Sequence, residues 1–278
     1  MSFAGADASG RAAFALDTNR GRAAGDYQAE HFVAMYDERT GWVHLEGYTD
    51  YPNTERALLD YPDSPYFDFA GAPYALESIA SPVNGLSLSI GPLEPRVTTR
   101  SDSTLFSMAS APATLSWSGR TFEGRVIYEF LAMRDENRLA RGISGLLEVL
   151  TAGPDFQGLY LATETGDLYV HSAPASAAAS TGNPLMAFWA AAERNLRADD
   201  VRFDVTAFDA APGFYRWPAS WSVRWRSDCG AAQLSVRSLD HDTQANWITG
   251  GFAMRAVEGE IVCGAESMPV FGFAELIR

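Results

Sequence analysis

Carboxylates that alternate with aromatic residues are the side chains of this sequence with the clearest capacity for chemistry. Near the C-terminus, Glu275 has the same parity as Phe271 and Phe273, so one face of a predicted strand carries all three. On the longest predicted strand, Glu129 adjoins Tyr128. Apolar surroundings raise the pKa of a carboxyl group, which can then donate a proton at neutral pH. Glu275 and Glu129 are therefore candidate catalytic acids, and a structural or solvated carboxylate is the alternative at both positions.

A tyrosine and a histidine form a second pair of this kind. Tyr169 and His171 follow the turn at Thr165-Gly166 and lie on the same face of a predicted strand. An imidazole titrates near neutral pH and can accept or donate a proton. His171 is therefore a candidate general base or hydrogen-bond donor, and a histidine with only a structural role is the alternative.

A polar and aromatic face also occurs near the N-terminus. Residues 31–48 have the pattern of a hairpin around an Asp-Glu-Arg-Thr-Gly turn. Its second predicted strand carries Trp42, His44, Glu46 and Tyr48 on one face. This face either lies in water or lines a ligand cavity.

Aromatic residues on the predicted strands are candidates for the wall of a substrate cavity, and core packing is the alternative for each. Aromatic faces attract cations through their quadrupoles, so such a wall could stabilise a carbocation. The candidate substrate-binding residues are Trp42, Trp117, Tyr128, Tyr169, Trp225, Trp247 and Phe273.

Several kinds of chemistry are excluded by the residues that the sequence lacks. All 21 basic residues are arginine, so neither a Schiff-base lysine nor a P-loop lysine is available. The sequence has no GxSxG, HExxH or dinucleotide-binding glycine motif. Neighbouring strand residues point to opposite faces, so the run Asp240-His241-Asp242 does not form a metal site. We predict no metal and no cofactor, which leaves acid–base catalysis or catalysis by substrate shape.

Composition and charge restrict the partners. The chain has 278 residues, an apolar fraction of 47% and a net charge of −14. This charge repels phosphate backbones, so nucleic acid is not an expected partner. The sequence shows no signal pattern and no run of 18 apolar residues, which predicts a cytoplasmic protein without stable membrane insertion. Cys229 and Cys263 lie outside any CxxC pattern and are predicted to be two buried free thiols. The oligomeric state stays open.

Short alternating segments dominate the chain and predict an all-β fold. We expect two related antiparallel barrels or sandwiches in tandem, residues 1–152 and 153–278, with a boundary near Gly153. One short helix is expected from Asn183, a capping residue, and Pro184 through the run that follows them. Residues 50–82 are expected to form a long loop, with a helical turn at Thr54 to Leu59.

The last quarter of the sequence resembles a known family. An aromatic-Pro-x-x-Trp strand entry, a Leu-x-Val hairpin and a terminal Gly…Glu-Leu segment follow each other in the family's order. The matching residues are Trp217-Pro218, Trp221, Leu234, Val236, Asp242, Gln244, Trp247, Gly250, Gly272 and Glu275-Leu276. They resemble the lipocalin-like family of carotenoid 1,2-hydratases, AttH-type proteins, stress-survival proteins and fungal decalin-forming Diels–Alderases. Ser238 and Ile248-Thr249 depart from the family pattern, and the terminal Gly-Tyr is missing.

The resemblance implies that the two tandem antiparallel barrels or sandwiches are lipocalin-like. It also implies a cofactor-independent hydratase or cyclase that acts on a hydrophobic isoprenoid or polyene, with Glu275 at the position of the family's terminal Glu. The alternative is a non-catalytic protein that binds a lipid or another apolar small molecule. A third hypothesis is an interaction module whose barrels are filled with side chains. The first hypothesis predicts an acid or base on the aromatic lining, and the second predicts an almost wholly apolar lining.

Overall fold

The structure is a computed structural model that confirms the all-β prediction. It describes residues 1–23, 26–47, 49–53, 61, 64–73, 75–133 except 101–103, 156–164, 166–172, 185–189, 194–197, 201–210, 216–227, 229–239, 244–246 and 252–277. In these residues the regular structure consists of antiparallel strands and a single 3₁₀ turn, Pro82–Asn84. No helix long enough and apolar enough to span a membrane occurs in the part of the chain that the structure describes.

The first sheet is built from the N-terminal strands. They are β1 (Ser2–Asp7), β2 (Gly10–Ala23), β3 (Asp26–Asp37), β4 (Gly41–Val43), β5 (Thr49–Asn53), β6 (Asp68–Ala72), β7 (Ala75–Ser81), β8 (Leu86–Ile90), β9 (Glu94–Arg100), β10 (Thr104–Trp117) and β11 (Arg120–Met133). Their order is β4-β3-β2-β1-β11-β10-β8-β7-β6, with β5 paired to β3 and β9 to β10.

The second sheet is built from the C-terminal strands. They are β12 (Phe156–Ala162), β13 (Asp167–Ser172), β14 (Leu185–Trp189), β15 (Arg194–Arg197), β16 (Arg202–Ala210), β17 (Arg216–Ser227), β18 (Gly230–Ser238), β19 (Gln244–Asn246), β20 (Phe252–Cys263) and β21 (Glu266–Ile277). Their order is β15-β14-β13-β12-β21-β20-β18-β17-β16, with β19 paired to β20.

The two sheets repeat one topology. In both sheets, the strand that comes first in the sequence pairs with the strand that comes last: β1 pairs with β11, and β12 pairs with β21. The chain divides into two compact units, residues 1–95 with 108–130 and residues 96–107 with 131–278. The boundary predicted near Gly153 lies outside the described residues.

Each unit has a hydrophobic core on one face of its strands. The alternation of buried and exposed residues in β8 and β18 shows how a period of two builds such a face. The first core includes Phe3, Phe14, Val33, Met35, Leu88, Leu115, Phe122, Val126 and Tyr128. The second includes Leu159, Val170, Trp217, Trp221, Val223, Trp225, Leu234, Val257, Ala274 and Leu276.

Glycines allow close strand contact at equivalent places in the two units. A Cβ atom at Gly124 on β11 would overlap the carbonyl oxygen of Ala4, and one at Gly272 on β21 would overlap that of Tyr160. Only glycine fits where a neighbouring backbone comes this close. The two glycines therefore favour tight pairing of β11 with β1 and of β21 with β12.

The predicted helix after Pro184 is wrong. Leu185–Trp189 and Arg194–Arg197 form β14 and β15, and β14 pairs with β13 from Leu168↔Trp189 to Ser172↔Leu185. Residues 183, 184 and 190–193 lie outside the described residues. The hydrogen-bonding edge of β13 takes this segment as its neighbour, so tertiary pairing overrides the helical propensity of the local composition.

The long loop predicted over residues 50–82 is also wrong in part. Most of β5 and all of β6 and β7 fall within it. The density of Pro, Tyr and Asp hides the strand period there, and β6 carries an irregularity between Ala70 and Gly71. The helical turn predicted at residues 54–59 lies outside the described residues.

The two cysteines form a disulfide, so the prediction of two buried free thiols is wrong. The Cα atoms of Cys229 and Cys263 lie 5.7 Å apart. Cys229 is exposed in the turn between β17 and β18, and Cys263 ends β20. The register of β18 with β20, in which Ala232 lies opposite Cys263, brings residues 34 apart in sequence together.

Candidate functional site

Four of the predicted site residues lie on β13 and β21 of the second unit, two strands that both pair with β12 between them. In the register of β13, β12 and β21, Gly158 lies opposite His171 on one side and opposite Glu275 on the other. Strands lie about 4.8 Å apart, so the Cα atoms of His171 and Glu275 are about 10 Å apart with only a glycine between them. Residues paired in this way share a face, so the imidazole and the carboxylate project from the same side of the sheet.

The next row on this face is aromatic. Tyr160 lies opposite Tyr169 on β13 and opposite Phe273 on β21. The rings of Tyr160 and Tyr169 are 4.8 Å apart between centroids. All three side chains are buried. This face is opposite to the one that carries Leu159, Val170 and Ala274 of the core.

His171 is fully buried and is held by a hydrogen bond. Its Nδ1 lies 2.7 Å from the hydroxyl oxygen of Tyr169. The ring of Phe106, in the segment 96–107 of the same unit, meets the imidazole edge-on at 6.2 Å between centroids. The tyrosine hydroxyl fixes the imidazole's orientation, and which group donates depends on the tautomer. Glu275 is half-buried at the edge of this face.

This arrangement combines an acid, a base and an aromatic surface. A half-buried carboxyl group and an oriented imidazole can supply and accept protons on either side of a bound molecule. The rings of Tyr160, Tyr169 and Phe273 provide an apolar and cation-attracting surface beside them. We call His171, Tyr169, Tyr160, Phe273 and Glu275 the His171–Glu275 face.

The predicted residues of β11 are placed differently. Tyr128 is buried in the first core, and its hydroxyl donates a short hydrogen bond to the carbonyl oxygen of Pro73. Glu129 is half-buried and points to the opposite face of β11. Glu129 and Glu275 therefore belong to different units. Of the two, Glu275 is the one that shares a face with a described histidine, His171.

Trp117 and Trp42 lie in the first unit. Trp117 packs against the first core and borders a wide depression of about 430 Å³ together with Pro82, Leu86 and Arg120. Trp42 packs edge-on against Tyr36 at 5.5 Å between ring centroids. Neither tryptophan belongs to the His171–Glu275 face, which is built from the second unit.

The strand predicted to carry Trp42, His44, Glu46 and Tyr48 is shorter than expected. β4 ends at Val43, and residues 44–47 are not in a strand. The backbone of Glu46 is instead held by Asn84, which accepts from its N–H at 2.8 Å and donates to its carbonyl oxygen at 2.7 Å. Tyr48 lies outside the described residues.

The two remaining predicted tryptophans are in different situations. Trp225 is buried in the second core, on the face opposite to His171. Trp247 lies outside the described residues, as does the run Asp240-His241-Asp242. Among the residues that the structure describes, no three His, Cys, Asp or Glu side chains are close enough together to hold a metal ion.

Sequence reasoning missed a second buried histidine. His31 on β3 lies opposite Thr18, whose hydroxyl is 3.1 Å from the imidazole Nδ1. The ring of Phe67 meets it edge-on at 5.7 Å between centroids, and Phe69 lies at 6.1 Å. Phe69 in turn stacks on Tyr61 at 4.7 Å. The pairing of Thr18 with His31 follows from the register of the β2–β3 hairpin, and that register is the signal that could have identified this histidine.

Two curled antiparallel sheets in series define a tandem lipocalin-like fold. The chain shares this fold with kievitone hydratase from Nectria haematococca, known from its crystal structure. The TM-score is 0.56 and the sequence identity is 9%, over 99% of this chain and 87% of that chain. At this identity the likeness shows the fold alone. No protein-family model and no curated protein sequence matches the chain.

Proposed function

We propose that this protein is a cofactor-independent hydratase of a hydrophobic isoprenoid or polyene substrate. The observation that carries the proposal is the His171–Glu275 face, where an imidazole held by a tyrosine hydroxyl and a carboxyl group flank one glycine. The substrate's carbon chain would lie over Gly158 and against the rings of Tyr160 and Phe273. The C-terminal motifs support a relationship to the carotenoid 1,2-hydratases and their cyclase relatives.

The proposed reaction adds water across a carbon–carbon double bond in two proton transfers with the reactants, followed by a third within the protein. Protonated Glu275 donates its proton to one alkene carbon, which forms a new C–H bond and leaves a carbocation at the other carbon. A water molecule adds to that carbon as His171 takes one of its protons. Transfer of that proton from His171 to Glu275 restores the starting state, so the net change is the addition of one water.

The aromatic row has a separate role in this reaction. The faces of Tyr160, Tyr169 and Phe273 stabilise the developing positive charge, because the quadrupole of an aromatic ring attracts a cation. They also exclude bulk water from the reacting carbons, which strengthens the electrostatic interactions at the face. If the carbocation is captured by a second double bond instead of water, the same residues would catalyse a cyclisation.

The main alternative is a protein that binds an apolar molecule without changing it. Such a site needs an almost wholly apolar lining. A buried histidine, a tyrosine hydroxyl and a carboxylate on one face favour the hydratase, and the kievitone hydratase with the same fold supports the same reaction class.

The direct test uses kievitone and an acyclic carotenoid as probes in ¹⁸O-labelled water. Hydration by labelled water adds about 20 mass units to the substrate, which mass spectrometry of the extracted product detects. We expect Glu275→Gln and His171→Asn each to lower the rate by about 10²- to 10⁴-fold. Tyr169→Phe should lower it less, because the imidazole is retained and loses one hydrogen bond.

The matched control is Glu258→Gln. Glu258 lies on β20, opposite Phe271 of β21. Its carboxylate binds the exposed Arg237 at 2.6 Å. We expect this variant to retain the wild-type rate. Hydration that survives in both Glu275→Gln and His171→Asn would contradict the assigned roles. Tight binding of both probes without any labelled product would establish the binding protein instead.

The cellular location belongs to the same proposal. The sequence predicts a cytoplasmic protein, whereas a disulfide such as Cys229–Cys263 is typical of oxidising compartments. Mass spectrometry of protein alkylated directly in its host cells distinguishes the two, because free thiols gain a label and a disulfide does not.

A further inference from the structure

An arginine is buried in the core of the second unit. Arg255 is only 1% exposed and ranks among the largest fully buried side chains of the described residues. It lies between Ala253 and Val257 of the core on β20, and opposite Ala274 of the core on β21. Its side chain therefore projects from the core face, opposite to the His171–Glu275 face.

The charge of Arg255 is balanced, but its hydrogen bonding is incomplete. Nη1 donates a short, charge-assisted hydrogen bond to Oδ2 of Asp209, which is 19% exposed. The buried Nε finds no hydrogen-bond partner among the residues that the structure describes. A buried donor left without an acceptor is costly and is rare in folded proteins. This one therefore indicates an acceptor that the described protein atoms do not supply.

The surroundings of the ion pair are aromatic, with one further polar group. Trp217, which is buried, lies directly opposite Asp209 on the neighbouring strand. Trp221, four residues further along the same strand and on the same face, donates from Nε1 to Oε1 of Gln157 at 3.0 Å. These groups form an amphipathic end of the core, with apolar ring surface beside hydrogen-bond donors.

We propose that Arg255, Asp209, Trp217 and Trp221 bind the oxygen atom of a neutral, otherwise apolar ligand. The Arg255 Nε donates to this hydroxyl or carbonyl oxygen. Because Asp209 already neutralises the guanidinium, an anionic ligand would leave a net negative charge in apolar surroundings, which is unfavourable. The site is on the opposite face from the proposed reaction and does not depend on it.

Three isoprenoids with one carbon skeleton test the proposal: farnesene, farnesol and farnesoic acid. Their binding is followed by quenching of tryptophan fluorescence. Hydrophobicity alone makes farnesene the tightest of the three. A hydrogen bond to the buried guanidinium should reverse this order and make farnesol bind about tenfold tighter than farnesene. Farnesoic acid should bind more weakly than farnesol at pH 7.

The decisive variant is Arg255→Lys. Lysine retains the charge that balances Asp209 but lacks a donor at the position of Nε, so we expect it to bind farnesene normally and to lose the preference for farnesol. Arg237→Lys, in the exposed pair with Glu258, is the matched control and should keep the preference. In Asp209→Asn the uncompensated arginine should instead favour farnesoic acid over farnesol.

The test remains decisive if one of the two variants does not fold, because each predicts a different result. Arg255→Lys should lose the preference for farnesol over farnesene, whereas Asp209→Asn should gain a preference for farnesoic acid. Equal binding of farnesol and farnesene by the wild-type protein would overturn the proposal. So would a preference for farnesol that persists in Arg255→Lys. Failure of the wild-type protein to bind any of the three would show that water or protein atoms complete the hydrogen bonds of Arg255.

Discussion

His31 and His171 are both fully buried and both contact an aromatic ring and a hydroxyl group, but they lie on different faces of their sheets. His31 projects with Val33 and Met35 toward the first core and contacts Phe67 there. His171 projects away from the second core, in a row with Glu275. The first histidine lies among the core side chains of its unit, whereas the second shares a row with a half-buried carboxylate, with Gly158 between them. Equivalent topology therefore does not imply equivalent chemistry.

The charged groups of the two units differ in the same way. In the first unit Arg120 binds both oxygens of Asp7, at 2.7 and 3.0 Å, and also binds the buried Asp37. Its guanidinium additionally lies 4.4 Å over the ring of Phe122. In the second unit Arg255 has one carboxylate partner among the described residues, Asp209. The well-satisfied network indicates a structural role, and the incompletely satisfied one indicates a binding role.

Substitution of the two histidines should separate these roles most strongly. His171→Asn is expected to lower hydration by about 10²- to 10⁴-fold with little change in affinity for the substrate. His31→Asn is expected to lower the free energy of unfolding by about 1–3 kcal/mol and to leave the rate per folded molecule unchanged. Urea titrations and labelled-water assays on both variants provide the two readouts. Equal loss of turnover in both variants would show that the comparison is wrong.

Arg120→Met should give a large change in stability. It leaves Asp37, which is 1% exposed, without its buried counter-ion. Removing one partner of a buried pair typically costs 3–5 kcal/mol, and we expect about 3 kcal/mol because Arg120 itself is 18% exposed. The control Arg224→Met removes a pair whose side chains are 52% and 45% exposed, and should cost less than about 1 kcal/mol. Similar midpoints in urea for the two variants would contradict the structural role of Arg120.

The disulfide distinguishes the second unit from the first, which has no cysteine. Cys229→Ser combined with Cys263→Ser opens a loop between residues 34 apart. The chain-entropy model gives a loss of about 4 kcal/mol for a loop of this size, and disulfides typically contribute about 2–4 kcal/mol. Urea unfolding of the double variant, compared with oxidised and reduced wild-type protein, measures it. Identical stability in all three samples, or alkylation of native wild-type protein, would contradict the disulfide.

Alternation along single strands made most of the fold predictable. Phe271, Phe273 and Glu275 follow a period of two that the sequence displays directly, and so do Tyr169 and His171. The segment after Pro184 was not predictable in this way, because its pairing with β13 depends on a strand edge formed elsewhere. Arg255 and Asp209 are 46 residues apart, and nothing local indicates that their strands meet on one core face. Sequence period determines which face a residue occupies, but long-range register determines its neighbours.

The smallest expected effect is a pH dependence confined to the network of the first unit. Hydrogen bonds from Arg120, and then those from Ser9, hold the pKa of Asp7 well below its usual value of 3.8. A carboxyl group whose pKa is lowered by folding stabilises the folded state fully above its unfolded pKa, and this contribution is lost as the pH falls toward the folded pKa. Asp7→Asn should therefore reduce stability at pH 5 to 7, and its difference from the wild-type protein should shrink progressively below pH 4. Urea titrations at pH 6, 4 and 3 measure that difference.

In an Arg120→Met background the same substitution should have a much smaller effect at every pH, because the main cause of the lowered pKa of Asp7 is gone. A difference between Asp7→Asn and wild type that stays constant from pH 6 to 3 would mean that Asp7 contributes by packing alone, and that the first unit's network is not maintained by charge.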